Sequence, residues 1–212
     1  MYSLKWGGII NNKDKIADVA FVLAMKNGFD KVSIKQIQEE SELTAGSIYY
    51  YFKDKDEILF YMVNKYLIDS FRKIKEKTLL LDGSFMEKIE YILKHGNSPI
   101  IIEDESLAVS DRFPLECKEF WVMYTSIYHH HPEIRPKFCE LCEEAHDFYK
   151  KLILEAIEKN EIRDDIDIEG LIKFIKTIFN GSLLLMVFQP NLQYQKLIEG
   201  NMELLWEAVK RR

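Results

Sequence analysis

The segment 33–59, SIKQIQEESELTAGSIYYYFKDKDEIL, leaves a folding chain few choices. Ser33 precedes an apolar-periodic run and has Gln36 three positions later. That is the spacing at which a hydroxyl and an amide cap each other's backbone N–H groups, so a helix is expected to begin there. Ile34 and Ile37 fall on one face of it. Ser41, Glu42 and Leu43 read as a turn, with Leu43 as its apolar plug. Thr44 can cap a second helix, in which Ile48 and Phe52 form an inward-facing i,i+4 pair. Asp54 and Glu57 repeat the capping spacing and open a third helix. Two short helices joined by a tight turn and backed by a longer one are therefore expected here.

The residues left over in this segment share a chemistry. Ala45, Gly46 and Ser47 are small, so a backbone carrying them can approach a groove wall. The first N–H groups of a helix have no internal partner and sit at the positive end of its dipole, which attracts phosphate. Tyr49, Tyr50 and Tyr51 spread around the end of the second helix, and all three are candidate DNA contacts. Lys55 lies in the first turn of the third helix, a position suited to a phosphate contact. Together these residues suit a helix laid into a DNA groove and held by its ends. Tyrosines at helix ends also serve as plain packing, and Ser33 and Thr44 are caps before they are anything else.

The pattern extends upstream through Ile16, Ala17, Ala20, Phe21, Gly28, Phe29, Val32, Ser33, Ile34 and Ile37. With the run from Gly46 to Lys55 it resembles the signature of the tetracycline-repressor (TetR) family. The likeness covers roughly residues 12 to 60 and leaves the rest of the chain without a motif. It implies a helix-turn-helix transcription regulator that acts as a homodimer and represses until a small molecule binds. Carried over residue by residue, it puts Ser33 and Lys35 at phosphate or a groove edge. Thr44, Ala45, Gly46 and Ser47 would face bases and backbone, Tyr49 and Tyr51 would clamp phosphates, and Lys55 would add a contact. Two departures stand out. Glu42 occupies a turn position where the family usually has glycine. If φ is positive there, a side chain costs about 1 kcal/mol. The first 60 residues also hold eight lysines, no arginine and nine acids. A basic footprint must then come from clustering of Lys5, Lys13, Lys15, Lys35, Lys53 and Lys55. Without arginine there is no bidentate reading of guanine, so modest affinity with steep salt dependence, or strong reliance on the caps and tyrosines, is expected.

Composition bounds the remainder. An apolar fraction of 47% is ample for a core, and a net charge of −6 argues against general nucleic-acid coating or binding to anionic membranes. Proline and glycine are sparse and strand-like alternation is absent, so an all-α fold is expected. The division is a helix-turn-helix domain over 1–60 and a helical effector-binding and dimerisation domain over 61–212. After a loose arm at 1–11, helices are expected near 12–27 and from Asp54 to about Leu79. Others follow at 84–95, 115–130, 135–159, 167–188 and 192–210, with irregular chain at 100–114. The start of the chain lacks the pattern of a signal peptide. The apolar run from Leu183 to Phe188 is short and meets Lys176 and Lys173 upstream. The three cysteines fit reduced thiols, so a cytoplasmic location is expected.

Three further expectations concern the body. The last two helices carry too many apolar positions for one buried stripe. Phe174, Ile178, Gly181, Leu184, Leu205 and Trp206 are candidates for a dimer interface, the alternative being a monomer core. Relatives by resemblance pair these helices across a twofold axis, which would set two reading helices roughly 34–36 Å apart on an approximately palindromic operator. The middle helices carry many aromatics. Tyr91, Phe113, Trp121, Tyr124, Tyr128 and Phe148 are candidates to line a pocket for a small apolar or aromatic effector, although aromatics at helical spacing are more often core. Finally, Cys139, Cys142 and His146 stand at i, i+3 and i+7, with Cys117 and His129 to His131 upstream. Thiolate and imidazole suit a transition metal, which makes a metal- or thiol-responsive regulator the alternative reading. One continuous helix is a poor frame for such a site, so neither a metal nor any other cofactor is expected. No phosphate loop or nucleophile motif points to an enzyme.

Overall fold

The computed structural model describes residues 11–96, 117–189 and 191–211. All but the last residue of the arm expected at 1–11, the irregular stretch at 100–114 and the candidate Phe113 lie outside them. Among the described residues every regular element is helical. The elements are α1 (Asn12–Asn27), α2 (Ile34–Ser41), α3 (Ala45–Tyr51), α4 (Lys55–Val63), α5 (Asp69–Leu80), α6 (Phe85–His95), α7 (Cys117–His130), α8 (Arg135–Glu158), α9 (Ile168–Phe188) and α10 (Tyr194–Val209). Contacts divide the chain into two compact units, Met1–Leu67 and Ile68–Arg212. The helix expected from Asp54 onward is not a uniform α-helix, because a π turn, Asn64–Ile68, separates α4 from α5. Such single wide turns interrupt a helix where side chains demand it. Here Lys65 reaches Asp14 and Asp18 of α1 at 3.0 and 2.5 Å, and the Tyr66 hydroxyl also reaches Asp18.

In the first unit α1, α2, α3 and α4 pack on one another. Ile16, Ala20 and Phe21 from α1 meet Ile37, Ile48, Phe52, Ile58 and Met62, all essentially buried. The Phe21 and Tyr66 rings stack with centroids 3.9 Å apart. Fully burying each such side chain contributes about 1.5–3 kcal/mol, so the apolar spacing seen in the sequence is what sets the angles between these short helices. α1 stops at Gly28, whose N–H bonds the carbonyl of Ala24 at 2.8 Å and whose φ is +81°, a conformation glycine adopts without steric cost.

The second unit is a helical body. Ile89, Leu93, Leu152, Ile153, Ile172, Ile175, Ile198 and Leu205 share its core. α6 opens with a complete capping box, the Ser84 N–H donating to Glu87 at 2.8 Å and the Glu87 N–H to the Ser84 hydroxyl. On the outside of this unit Glu144 of α8 takes two cations from α5, Lys75 at 2.9 Å and Arg72 at 3.3 Å. The hydrogen bond from Lys75 is the chief cause that holds the Glu144 carboxyl below its ordinary pKa, against the opposing effect of partial burial. α9 is long and apolar enough by composition to cross a bilayer, with mean hydropathy 1.7 over its apolar window. One face of it, with Leu171, Ile172, Ile175 and Leu183, is buried in the body's own core, while Phe174, Leu184, Leu185 and Phe188 are exposed.

Candidate nucleic-acid interface

The two short helices are fixed at their starts by their own side chains. Gln36 N–H donates to the Ser33 hydroxyl at 3.2 Å, and Ser33 N–H donates to the Gln36 amide oxygen at 2.9 Å, the reciprocal pair expected from their spacing. Ser47 N–H donates to the Thr44 hydroxyl at 3.1 Å, and the Thr44 and Ser47 hydroxyls lie 3.0 Å apart. Between the helices Glu42 sits at φ 56°, ψ 26°, in the left-handed region. The strain anticipated for a non-glycine residue is therefore present. Glu42 is exposed, so its carboxylate rests in water and the cost is confined to the backbone.

These caps orient a clear division of labour within α3. Ile48 is fully buried and Phe52, just past the helix, is 2% exposed. Tyr49 and Tyr50, next to Ile48 in the chain, are 56% and 82% exposed. Tyr50 is thus the more projecting of the two. Its helical phase turns it away from the Ile48 side, and its ring meets only the edge of Tyr51, at a centroid distance of 4.9 Å. Tyr51 is half-buried, as are Ala45 and Ser47. Gly46 is exposed, and a methyl group added there would meet nothing closer than the Thr44 hydroxyl at 3.9 Å. The face of α3 that carries Gly46, Tyr49 and Tyr50 is therefore bare backbone and aromatic edge.

The lysines are less evenly available than their number implied. Lys35 projects into solvent with its side chain 83% exposed, 3.8 Å from Glu39 one turn on. Lys53 is exposed. Lys55, by contrast, folds back: its ammonium donates to the carbonyl of Asp30 at 3.1 Å and lies 4.6 Å from the centroid of the Phe29 ring. Burial lowers its pKa, opposed by the nearby Asp30 and Asp56. Lys13 is turned likewise onto the rings of Tyr61 and Phe52, 4.7 and 5.4 Å from their centroids. Lys5 lies outside the described residues. No signal in the sequence distinguishes Lys35 from Lys55, because the partners of Lys55 lie some 25 residues away in the chain.

The candidates in the body separate more sharply. Phe148 is a core side chain, packed on Tyr149 and Phe71. Tyr91 is half-buried against His95, ring centroids 4.4 Å apart. Tyr128 is held under the guanidinium of Arg135, which also donates to the carbonyls of Tyr128 and His129 at the end of α7. Tyr124 is fully buried between Phe120 and Phe138, its hydroxyl has no partner among the described residues, and burial raises its pKa far above the ordinary value. Trp121 lines an open groove of about 560 Å³ together with His146, Ile172, Lys173, Lys176 and Leu184. Of the dimer candidates, Phe174, Leu184 and Trp206 are exposed, and Ile178 and Gly181 are half-buried. Leu205 is fully buried in the body's own core, and its neighbour Leu204 is the exposed one, 67% accessible. Cys139 and Cys142 are exposed, and His146 lies 3.4 Å from Glu169. Among the described residues these three side chains do not converge on one metal-sized point, because a straight helix spreads them along its length.

A capped two-helix turn presenting tyrosines and small residues is a helix-turn-helix DNA-binding domain, and the comparisons with known proteins agree. Residues 16–62 match the family described as bacterial regulatory proteins, tetR family. The fatty acid metabolism regulator protein of Bacillus subtilis is 24% identical over 154 residues, 73% of this chain and 72% of that protein. The regulator QacR of Staphylococcus aureus is 38% identical over 55 residues, 26% of this chain and 29% of that one. In fold, the chain is similar to the transcriptional regulator FadR of B. subtilis, solved in complex with stearoyl-CoA. The TM-score is 0.69 at 18% identity, over 91% of this chain and 96% of that one. It is also similar to the fatty acid degradation regulator FadR of Bacillus halodurans, with a TM-score of 0.72 at 17% identity over 98% and 100% of the two chains. Residues 16–62 thus carry the TetR-family N-terminal domain, and the whole chain shares the fold of these regulators.

Proposed function

We propose that the protein is a ligand-responsive repressor that binds a palindromic operator as a homodimer and leaves it when a small apolar effector enters the helical body. The observation that carries the DNA-binding half is the exposed face of α3, where Tyr49 and Tyr50 stand out beside a fully buried Ile48. Tyr49, Tyr50 and Lys35 are the leading contacts, with Gly46 and Ser47 permitting close approach. Thr44 and Ser33 act chiefly as caps, and Tyr51 contributes from a half-buried position. Lys55 steadies the start of α4 through Asp30 and Phe29 rather than serving as a ready phosphate cation. With few free cations, each phosphate contact still releases counterions, so the salt slope counts them.

The homodimer is supported by the exposed apolar residues of α9 and α10, since isolated soluble chains rarely leave Phe174, Leu184, Leu185, Phe188, Leu204 and Trp206 uncovered together. Lys173 and Lys176 within α9 favour a second copy over a bilayer as the cover. A fatty-acyl effector is the class that the named relatives bring to this chain. A protein of this kind works in the cytoplasm, where its DNA is. Gel shift with the DNA upstream of the chain's own gene tests the whole reading. Binding should be lost in Tyr49→Ala/Tyr50→Ala, should fall linearly with log salt concentration, and should be relieved by acyl ligands. Unchanged binding by that double variant would sink the interface assignment.

A further inference from the structure

The groove beside Trp121 has a chemical polarity that neither the fold nor the family assigns. It lies among α7, α8 and α9, and its side chains fall into three groups. Trp121, Ile172 and Leu184 give it an apolar wall, and Ile172 is fully buried beneath it. Lys173 and Lys176 give it cations, and His146, Thr177 and Asn180 give it further polar groups. Among the described residues, no carboxylate is in its lining. Lys176 is tied to the neighbouring helix by a 3.5 Å bond from its ammonium to the carbonyl of Cys142, which leaves two of its three protons for another acceptor. Glu169, which holds His146 at 3.4 Å and Lys150 at 3.2 Å, anchors the imidazole from outside the lining. A volume of about 560 Å³ is within the range of ordinary small-molecule sites.

We propose that this groove takes an amphipathic anion, its carboxylate or phosphate head against Lys173 and Lys176 and its apolar chain along Trp121 and Leu184. The inference rests on the reading of the body as the effector-binding half, and it names the site and the head group. Charge complementarity selects this occupant. A neutral apolar ligand would leave two ammonium groups unused beside it, and a small inorganic anion would leave the Trp121 wall uncovered. Gly181 and Leu184 line the groove and also belong to the exposed α9 face, so an occupant would touch the residues proposed to meet the second copy.

Calorimetric titration of the full chain without DNA tests the proposal, using decanoate, decyl phosphate, decanoyl-CoA and decanol. The anions should bind at least tenfold more tightly than decanol, as expected where a charged head gains charge-assisted hydrogen bonds. Whether the carboxylate, the phosphate or the thioester ligand is tightest identifies the source of the head group. Lys173→Gln/Lys176→Gln should abolish the preference for anions while leaving decanol unchanged, and Trp121→Ala should weaken all four. Equal binding of decanol and decanoate, or a full anion preference in the double lysine variant, would overturn the assignment, as would no binding of any of the four. Gel shift on the same samples separates the readings: operator binding retained without anion binding removes the groove alone, whereas loss of operator binding in the parent protein removes the proposed function.

Discussion

The DNA-binding unit and the helical body treat their aromatic side chains in opposite ways. In α3, neighbouring positions divide cleanly, Ile48 and Phe52 going to the core while Tyr49 and Tyr50 are released to solvent. In the body, two of the aromatics that looked available are consumed. Phe148 joins the core and Tyr124 is sealed between two phenylalanines, while Tyr128, held under Arg135, stays 43% exposed. The difference follows from helix size. A seven-residue helix has one narrow buried stripe, so an extra ring has nowhere to go but outward. The 24-residue α8 can bury a wide face and absorb rings into it. Exposed aromatics therefore carry more functional information in the small unit than in the large one.

That contrast can be broken by mutation. The largest effect is expected from Ile48→Ala, a fully buried position, which should cost about 2–5 kcal/mol of stability. Thermal denaturation followed by circular dichroism would measure it, and operator binding should fail with it. Next comes Phe174→Glu/Leu184→Glu. If their face meets a second copy, sedimentation should show monomers in place of dimers while helix content stays constant; dimers that persist would return these residues to the monomer surface. Tyr50→Ala should weaken operator binding roughly tenfold, about 1.4 kcal/mol, with almost no change in melting temperature because the ring is 82% exposed. A large drop in melting temperature would mean that Tyr50 packs after all. Glu42→Gly should relieve the left-handed backbone and stabilise the first unit by up to about 1 kcal/mol in denaturant titration.

The smallest effect belongs to the body's surface. Glu144→Gln removes the carboxylate shared by Lys75 and Arg72, and such partly exposed pairs contribute about 0.5–1 kcal/mol. The folded pKa of Glu144 is depressed, so the stabilisation is fully present above the unfolded carboxylate value of about 4.3 and disappears as pH falls through the folded value. The stability difference between parent and variant should therefore be visible at pH 7 and vanish in strong acid. A difference independent of pH would assign it to packing instead.

Much of the first unit was legible because its signals are local. The Ser33–Gln36 box, the Thr44 cap and the Asp54 cap are contacts between residues three apart. The inward Ile48 and Phe52 follow from helical periodicity, and the strain at Glu42 was signalled by the resemblance, which puts glycine at that position. What escaped were contacts across the chain. Lys55 looked like a surface cation until Phe29 and Asp30 were brought beside it. In the last helix, Leu204 and Leu205 are indistinguishable as letters. Only the packing of α10 against α6 and α9 sends Leu205 inward and leaves Leu204 outside.

The TetR signature, the all-helical class and the capped helix-turn-helix were determined by sequence alone, because capping and periodicity act within a few residues. Tertiary structure decided which lysines remain available, which aromatics are core, and that Trp121 of α7, His146 of α8 and Lys173 and Lys176 of α9 share one groove. Those residues lie far apart in the chain, and only the packing of three helices brings an apolar wall and a pair of cations to the same place.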